Sequence, residues 1–153
     1  MDKKDVKLLA ILQQQGRISI ADLANKVNMS DTPCLRRVKK LEQDQIILGY
    51  QAQLDPQKLG LKVSAYLYIR LNDCSFEQTE AFESEVAKVA NVMECVSVSG
   101  DYDYMLKVMV EDLAALDMLI KKQLKSLPMV FQVNANVVLK SAFTRPHLPI
   151  ESC

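Results

Sequence analysis

Tryptophan is absent from this chain, histidine occurs once, at His147, and there is no net charge: nineteen Lys and Arg balance nineteen Asp and Glu over 153 residues. The balance excludes a protein that is basic all over. With a single histidine there is no Ser-His-Asp or Cys-His arrangement to build on, and no phosphate-cradling glycine loop is present, so an enzyme is not expected. The four cysteines, Cys34, Cys74, Cys95 and Cys153, contain no C-x-x-C pair. They give no cluster of zinc ligands, and neither a metal nor a cofactor is expected. No charged start followed by an apolar segment opens the chain. No apolar run approaches the roughly 20 residues of a membrane-spanning helix, so no membrane partner is expected either. The expected location is the reducing cytoplasm, with Cys34 and Cys95 as small core residues and Cys74 and Cys153 exposed.

What is present is patterned. Apolar residues make up 49% and charged residues 25% of the chain, the balance of a globular protein, and the length suits one large domain or two small ones. Charge is unevenly placed. Residues 1–50 hold nine Lys and Arg against six Asp and Glu, and the remainder hold ten against thirteen. The first part is therefore the one suited to a polyanion.

The sharpest local feature is S-D-T-P-C-L-R-R-V-K-K-L-E-Q-D, Ser30 to Asp44. Ser30 is a good N-cap, Asp31 puts negative charge in the first turn, and Pro33 comes early enough to cost no needed N–H. On a wheel of about 100° per residue, Leu35, Val38, Cys34 and Leu41 gather on one side. Lys39, Arg36, Lys40 and Arg37 occupy the other. A basic helix face standing alone is more often solvated surface than a binding face, but what precedes this one changes the odds. Asp2 caps a helix to about Gln14 with a stripe of Leu8, Leu9, Ile11 and Leu12, ended by Gly16. Ser19 and Asp22 form a variant capping box opening a second helix, whose buried face is Ile20, Leu23, Ala24 and Val27. Asn28-Met29 is a tight connection. A helix, a short turn and a basic amphipathic helix read as helix-turn-helix, with the third helix placed for the major groove. Its expected core is Leu9, Leu12, Leu23, Val27, Leu35, Val38 and Leu41. Beyond Gly49, the alternating Tyr50, Ala52 and Leu54 predict a short strand leading out, ended by Asp55-Pro56.

The rest reads strand, helix, strand, strand, helix, strand. Val63, Ala65, Leu67, Ile69 and Leu71 alternate with polar neighbours, the cleanest period of two in the chain. Phe76 to Ala90 is a helix, Met93 to Ser99 a strand, and Gly100-Asp101 a turn. A strand over Tyr102 to Val110 sets Tyr102, Tyr104, Leu106, Val108 and Val110 on one side. Asp112 caps a helix with a stripe of Leu113, Leu116, Ile120 and Leu124. A last strand, Val130 to Leu139, sets Phe131, Val133, Ala135, Val137 and Leu139 together. The order is βαββαβ, the ferredoxin-like arrangement. Its helix-free face would expose Tyr66, Tyr68, Met105, Met109 and Val138, too much apolar surface to leave wet, so a face-to-face homodimer is expected. RNA binding through such a sheet would need a K/R-G-F/Y-G/A-F-V strand, and D-Y-D-Y-M-L-K-V-M-V is not one.

S-D-T-P-C-L-R-R-V-K-K-L-E followed by I-I-L-G-Y resembles the recognition helix and linker of the Lrp/AsnC regulators, and V-S-G-D-Y-D-Y-M-L-K-V resembles their ligand-sensing domain. The resemblance spans about Asp2 to Leu139 and leaves the tail unmatched; two prolines within T-R-P-H-L-P-I-E-S-C argue against a long helix there. It implies an α+β chain. An N-terminal three-helix winged-type helix-turn-helix DNA-binding domain would cover 1–49 and a linker strand and loop 50–61. A C-terminal ferredoxin-like ligand-sensing and oligomerisation domain would cover 62–140, and a tail 141–153. It implies a transcriptional regulator that binds double-stranded DNA and responds to a small-molecule effector, usually an amino acid. Homodimers assembling into a tetramer or octamer are implied as well. Carried over by motif, the DNA contacts are Ser30, Thr32, Pro33, Arg36, Arg37 and Lys40. The matching sensing residues are Gly100, Asp101, Tyr102, Asp103 and Tyr104, with Asn136 on the last strand. Asp103 offers a carboxylate for an α-ammonium group. The competing reading of a βαββαβ domain is an amino-acid-binding regulatory subunit of a metabolic enzyme.

Overall fold

The computed structural model describes residues 1–150; Cys153, expected to be exposed, lies outside the described residues. The chain divides into two compact units. One comprises Met1–Gln53 with the segment that begins at Phe143, the other Leu54–Ala142. Among the described residues no helix is long and apolar enough to cross a membrane, and no group of metal-binding side chains occurs.

In the first unit, α1 (Lys3–Gln14), α2 (Ile20–Lys26) and α3 (Asp31–Gln43) follow one another. Asp2 and Asp5 form a reciprocal capping box at the start of α1. The Ser19 hydroxyl accepts from the Asp22 N–H at the start of α2. Both helices flanking the connections end in the same device. Asn28 (φ 53°) and Gln45 (φ 56°) take left-handed backbone. Met29 N–H bonds to Ala24 O after α2 and Ile46 N–H to Leu41 O after α3, each at 2.9 Å. This six-to-one closure is the Schellman motif, which caps orphan carbonyls and reverses the chain sharply enough for α3 to start three residues later.

The three helices close on Leu8, Leu23, Ala24, Val27, Cys34 and Val38. Two core expectations shift. Leu8 is fully buried, whereas Leu35 is 39% exposed. The apolar arc of α3 is thus centred on Cys34, Val38 and Leu41, and Leu35 lies at its rim. No strand forms over 50–54 and none accompanies the three helices. The alternation of Tyr50, Ala52 and Leu54 is real, but a strand exists only through a hydrogen-bonded neighbour, and the described residues supply none there. The returning segment bonds reciprocally to α1: Leu148 N–H donates to Gln13 Oε1 (2.6 Å), and Gln13 Nε2 donates to Leu148 O (3.3 Å). It is not helical.

The second unit is a sheet of β1 (Val63–Leu71), β2 (Val92–Ser97), β3 (Tyr104–Val110) and β4 (Val130–Val137), with α4 (Phe76–Val86) and α5 (Leu113–Met118) on one face. The strand order is β2-β3-β1-β4, antiparallel throughout. Its core joins Ala65, Leu67, Ile69 and Leu71 to Tyr104, Leu106, Val108 and Val110, beneath Phe82, Val86, Leu116, Leu119 and Leu124. Tyr102 precedes β3 and does not share that side. β4 is an edge strand whose expected apolar side is largely uncovered, with Phe131 64% exposed. Cys95, expected in the core, is exposed on the other edge strand. Leu113 of the expected stripe is also exposed. The helix after β3 changes character. α5 passes into a π-helical segment, Leu119–Leu124, closed by Lys125 N–H to Ile120 O at 2.8 Å. In an α-helix the position four after Leu119 is Gln123. The wider π turn advances the register by one and delivers Leu124 to the core instead.

Candidate functional site

Helix α3 presents its cations selectively. Arg36, Lys39 and Lys40 are exposed, and among the described residues no carboxylate lies within ion-pair distance of any of them. Ser30 occupies the N-cap position but makes no capping hydrogen bond through its side chain. Its hydroxyl, the exposed Thr32 beside it and the unpaired N–H groups of the first turn are therefore open to a phosphate or a base edge. Pro33 is half-buried in that turn. Together these residues make a short cationic ridge with a donor-rich end, on a helix whose opposite side is anchored by Cys34, Val38 and Leu41.

Arg37 is placed differently from the other expected contacts. Its Nη1 lies 2.7 Å from Asp2 Oδ2 and 2.7 Å from Asp5 Oδ1. The two Asp hydrogen bonds raise the Arg37 pKa further. The Asp2 carboxyl is held below its ordinary 3.8, first by the Asp5 backbone N–H and then, against a partial desolvation, by Arg37. Asp2 was legible as a helix cap and Asp5 was not read; their partnership with α3 needed the tertiary structure.

The stretch Gly100–Tyr104 distributes its side chains in three directions. Gly100 has φ +122°, a backbone setting that side-chain-bearing residues rarely adopt. Gly100 and Asp101 are exposed. Tyr102 turns to the helix-free face of the sheet. Its ring lies 5.4 Å from that of Tyr68, and its hydroxyl accepts from Asn134 Nδ2 at 3.0 Å. Asp103 turns inward across the end of β1: Oδ2 accepts from Leu71 N–H (2.8 Å) and Oδ1 from the Cys74 thiol (3.2 Å). That bond, before any other influence, pushes the Cys74 thiol up. Tyr104 belongs to the helix-covered face. It packs on Phe82 with ring centres 4.8 Å apart and donates to Glu83 Oε1 at 2.7 Å. Burial first, then Glu83, pushes the phenol well above its ordinary 10.0. It also lines an open cleft of about 330 Å³ with Glu83, Cys95 and Ser97, on the side away from Tyr102. The helix-free face brings Tyr66 opposite Lys107 and Asn136, and Tyr68 opposite Met105 and Asn134. Asn136 therefore lies one pleat from Asn134. Asn134, not singled out by the sequence, and Tyr68, expected there only as part of a dimer face, are the neighbours of Tyr102. The register of β4 against β1 was the missing information.

Two family models match separate stretches of the chain. Residues 1–42 match the family model of the AsnC-type helix-turn-helix domain, and residues 64–148 that of the Lrp/AsnC ligand binding domain. The chain is 37% identical to the Bkd operon transcriptional regulator of Pseudomonas aeruginosa, over 98% of both chains. It is also 37% identical to the leucine-responsive regulatory protein of Escherichia coli, over 99% of this chain and 93% of that one. Among solved structures it is similar to a transcriptional regulator from Neisseria meningitidis in complex with L-Met. The TM-score there is 0.93 at 32% identity, covering 97% of this chain and 96% of the other. An AsnC family regulator from Agrobacterium tumefaciens gives a TM-score of 0.92 at 37% identity, covering 97% of each.

Proposed function

The chain belongs to the Lrp/AsnC family of transcriptional regulators, and from that premise we propose that it grips duplex DNA through the exposed ridge of α3, as a symmetric homo-oligomer, under the control of a free amino acid. The observation that carries the reading is the unpaired trio Arg36, Lys39 and Lys40 beside the open N-terminus of the same helix. Arg36 is the candidate for bidentate contact to guanine, Lys40 and Lys39 for phosphate, and Ser30, Thr32 and Pro33 for the groove edge at the helix start. The protein acts in the cytoplasm without catalysing a reaction.

Oligomerisation uses the helix-free face. Tyr66, Tyr68, Met105, Met109 and Val138 are only half-exposed there, and a second copy laid on the same patch forms a two-fold interface. The effector site centres on the exposed Gly100 and Asp101 with Tyr102 and Asn136. Asp103 and Tyr104 give that loop its shape. The Neisseria relative's complex with L-Met makes apolar amino acids the first effectors to try.

The test is salt-dependent binding to a selected operator. Arg36→Ala with Lys40→Ala is expected to relax base preference through Arg36 and to shallow the log K against log[salt] slope by about 1 for each bound protomer through the Lys40 phosphate contact. Sedimentation of the variant is expected to match the parent. Undiminished operator binding by the double variant refutes the proposal.

A further inference from the structure

The four basic residues of α3 are not equivalent, and the difference is written in the start of α1. The capping box there uses Asp2 Oδ1, which accepts from Lys4 N–H (2.8 Å) and Asp5 N–H (2.9 Å), and Asp5 Oδ2, which accepts from Asp2 N–H (2.9 Å). One oxygen of each carboxylate is thereby consumed and both groups are oriented. The two oxygens left over, Asp2 Oδ2 and Asp5 Oδ1, converge on a single nitrogen of Arg37. The Arg37 side chain is 32% exposed, Asp5 16% and Asp2 51%, so the pair with Asp5 is partly shielded and the pair with Asp2 stands at its open edge. Shielded pairs resist solvent better than exposed ones, and geometry pre-set by the capping box spares much of the entropy of ordering them.

We propose that Arg37 is a positioning residue for DNA recognition: clamped by Asp2 and Asp5, it fixes the roll of α3 on α1 and so aims Arg36 and Lys40, without itself touching DNA. The inference rests on α3 being the DNA-binding element. Two consequences separate it from a direct contact. A clamped guanidinium releases no counterion on binding. Its effect on affinity must also pass through the two aspartates.

The experiment measures binding of the full-length protein to a random-sequence duplex and to a selected operator across a salt series. The variants are Arg37→Ala, Arg37→Lys, Lys40→Ala, Asp2→Asn/Asp5→Asn and the triple combination with Arg37→Ala. Asparagine retains an acceptor oxygen for the capping box while turning an amide donor toward Arg37. Arg37→Ala is expected to weaken operator binding about tenfold with the salt slope unchanged, whereas Lys40→Ala shallows it by about 1 for each bound protomer. Arg37→Lys, whose ammonium still reaches a carboxylate, recovers part of the loss. In the Asp2→Asn/Asp5→Asn background, Arg37→Ala adds no further loss, the mark of a coupled pair. A slope shallower by about 1 for each bound protomer in Arg37→Ala, or an equal loss with and without the aspartates, overturns the proposal. Should Arg37→Ala fail to fold, the aspartate pair decides alone: weaker binding at unchanged slope supports the clamp, and undiminished binding overturns it. Failure of Lys40→Ala to alter the slope marks instead the failure of the α3 reading.

Discussion

Removal of the Asp103 carboxylate separates a structural duty from a ligand-binding one. Asp103 N–H donates to Ile69 O at 2.9 Å, and two residues further along β1 its own side chain takes over, with Oδ2 accepting from Leu71 N–H at 2.8 Å. A side chain thus adds a rung to the β1–β3 ladder at the place where β1 shifts register against β4, between Arg70 and Leu71. Leu71 is 5% exposed, so water is a poor substitute for the lost acceptor. Asp103→Ala is expected to cost about 1.5–3 kcal/mol, the range for a hydrogen bond to a charged group whose partner is left unsatisfied. Asp103→Asn, which keeps an acceptor oxygen, costs less. The assay is urea unfolding followed by far-UV circular dichroism, with no amino acid present. A second readout is independent of stability. Because the Asp103 bond is the leading reason the Cys74 thiol is raised, Asp103→Ala lowers that thiol toward its ordinary value. Alkylation of Cys74 near pH 8, located by peptide mass, is therefore faster. If Asp103 served only an effector's ammonium group, the ligand-free protein would be indifferent to its loss. Stability within about 0.5 kcal/mol of the parent, together with unchanged Cys74 alkylation, refutes the reasoning.

Leu8→Ala is expected to destabilise the three-helix unit by about 2–5 kcal/mol because Leu8 is fully buried. Leu35→Ala, at an exposed position, is expected to stay within about 0.5 kcal/mol; thermal melts of both variants check the pair. Spectrophotometric titration should find Tyr50 ionising at about 12, raised by partial burial and then by its bond to Glu42, with Tyr104 higher still. A folded pKa raised above the unfolded 10.0 adds stability that is complete below pH 10 and lost as pH climbs toward 12; Tyr50→Phe should flatten that alkaline fall, and a parent titrating all its tyrosines near 10 would contradict it. Met105→Glu puts a charge between Tyr68 and Val96 on the helix-free face. It should shift sedimentation from oligomer to monomer while circular dichroism is preserved, and an undissociated oligomer would count against that interface.

Much of this molecule follows from local pattern. The caps at Asp2, Ser19 and Asp112, the period of two in β1 and the ends of α3 are properties of single elements, and each forms where its residues direct. The departures share a cause. Leu35 is apolar and lies within reach of the apolar arc, yet it stands outside the core that the three helices close and is 39% exposed. Tyr50, Ala52 and Leu54 alternate as strand residues do, yet no strand among the described residues pairs with them. Leu124 reaches the core as its period of 3.6 directs, but through a π turn that also buries Leu119, where that period had put Ile120.

The α3 stretch illustrates the division of labour best. Its sequence alone determined a capped, amphipathic helix with four cations away from its apolar arc, because the rise and turn per residue are set by backbone geometry. Only the tertiary structure decided that three of those cations stay open while the fourth is taken by Asp2 and Asp5. Periodicity assigns residues to faces of one element. Which face meets which partner, thirty-odd residues away in the chain, is settled by how the elements pack, and the chemistry of Arg37, Asp103 and Tyr104 depends on that packing.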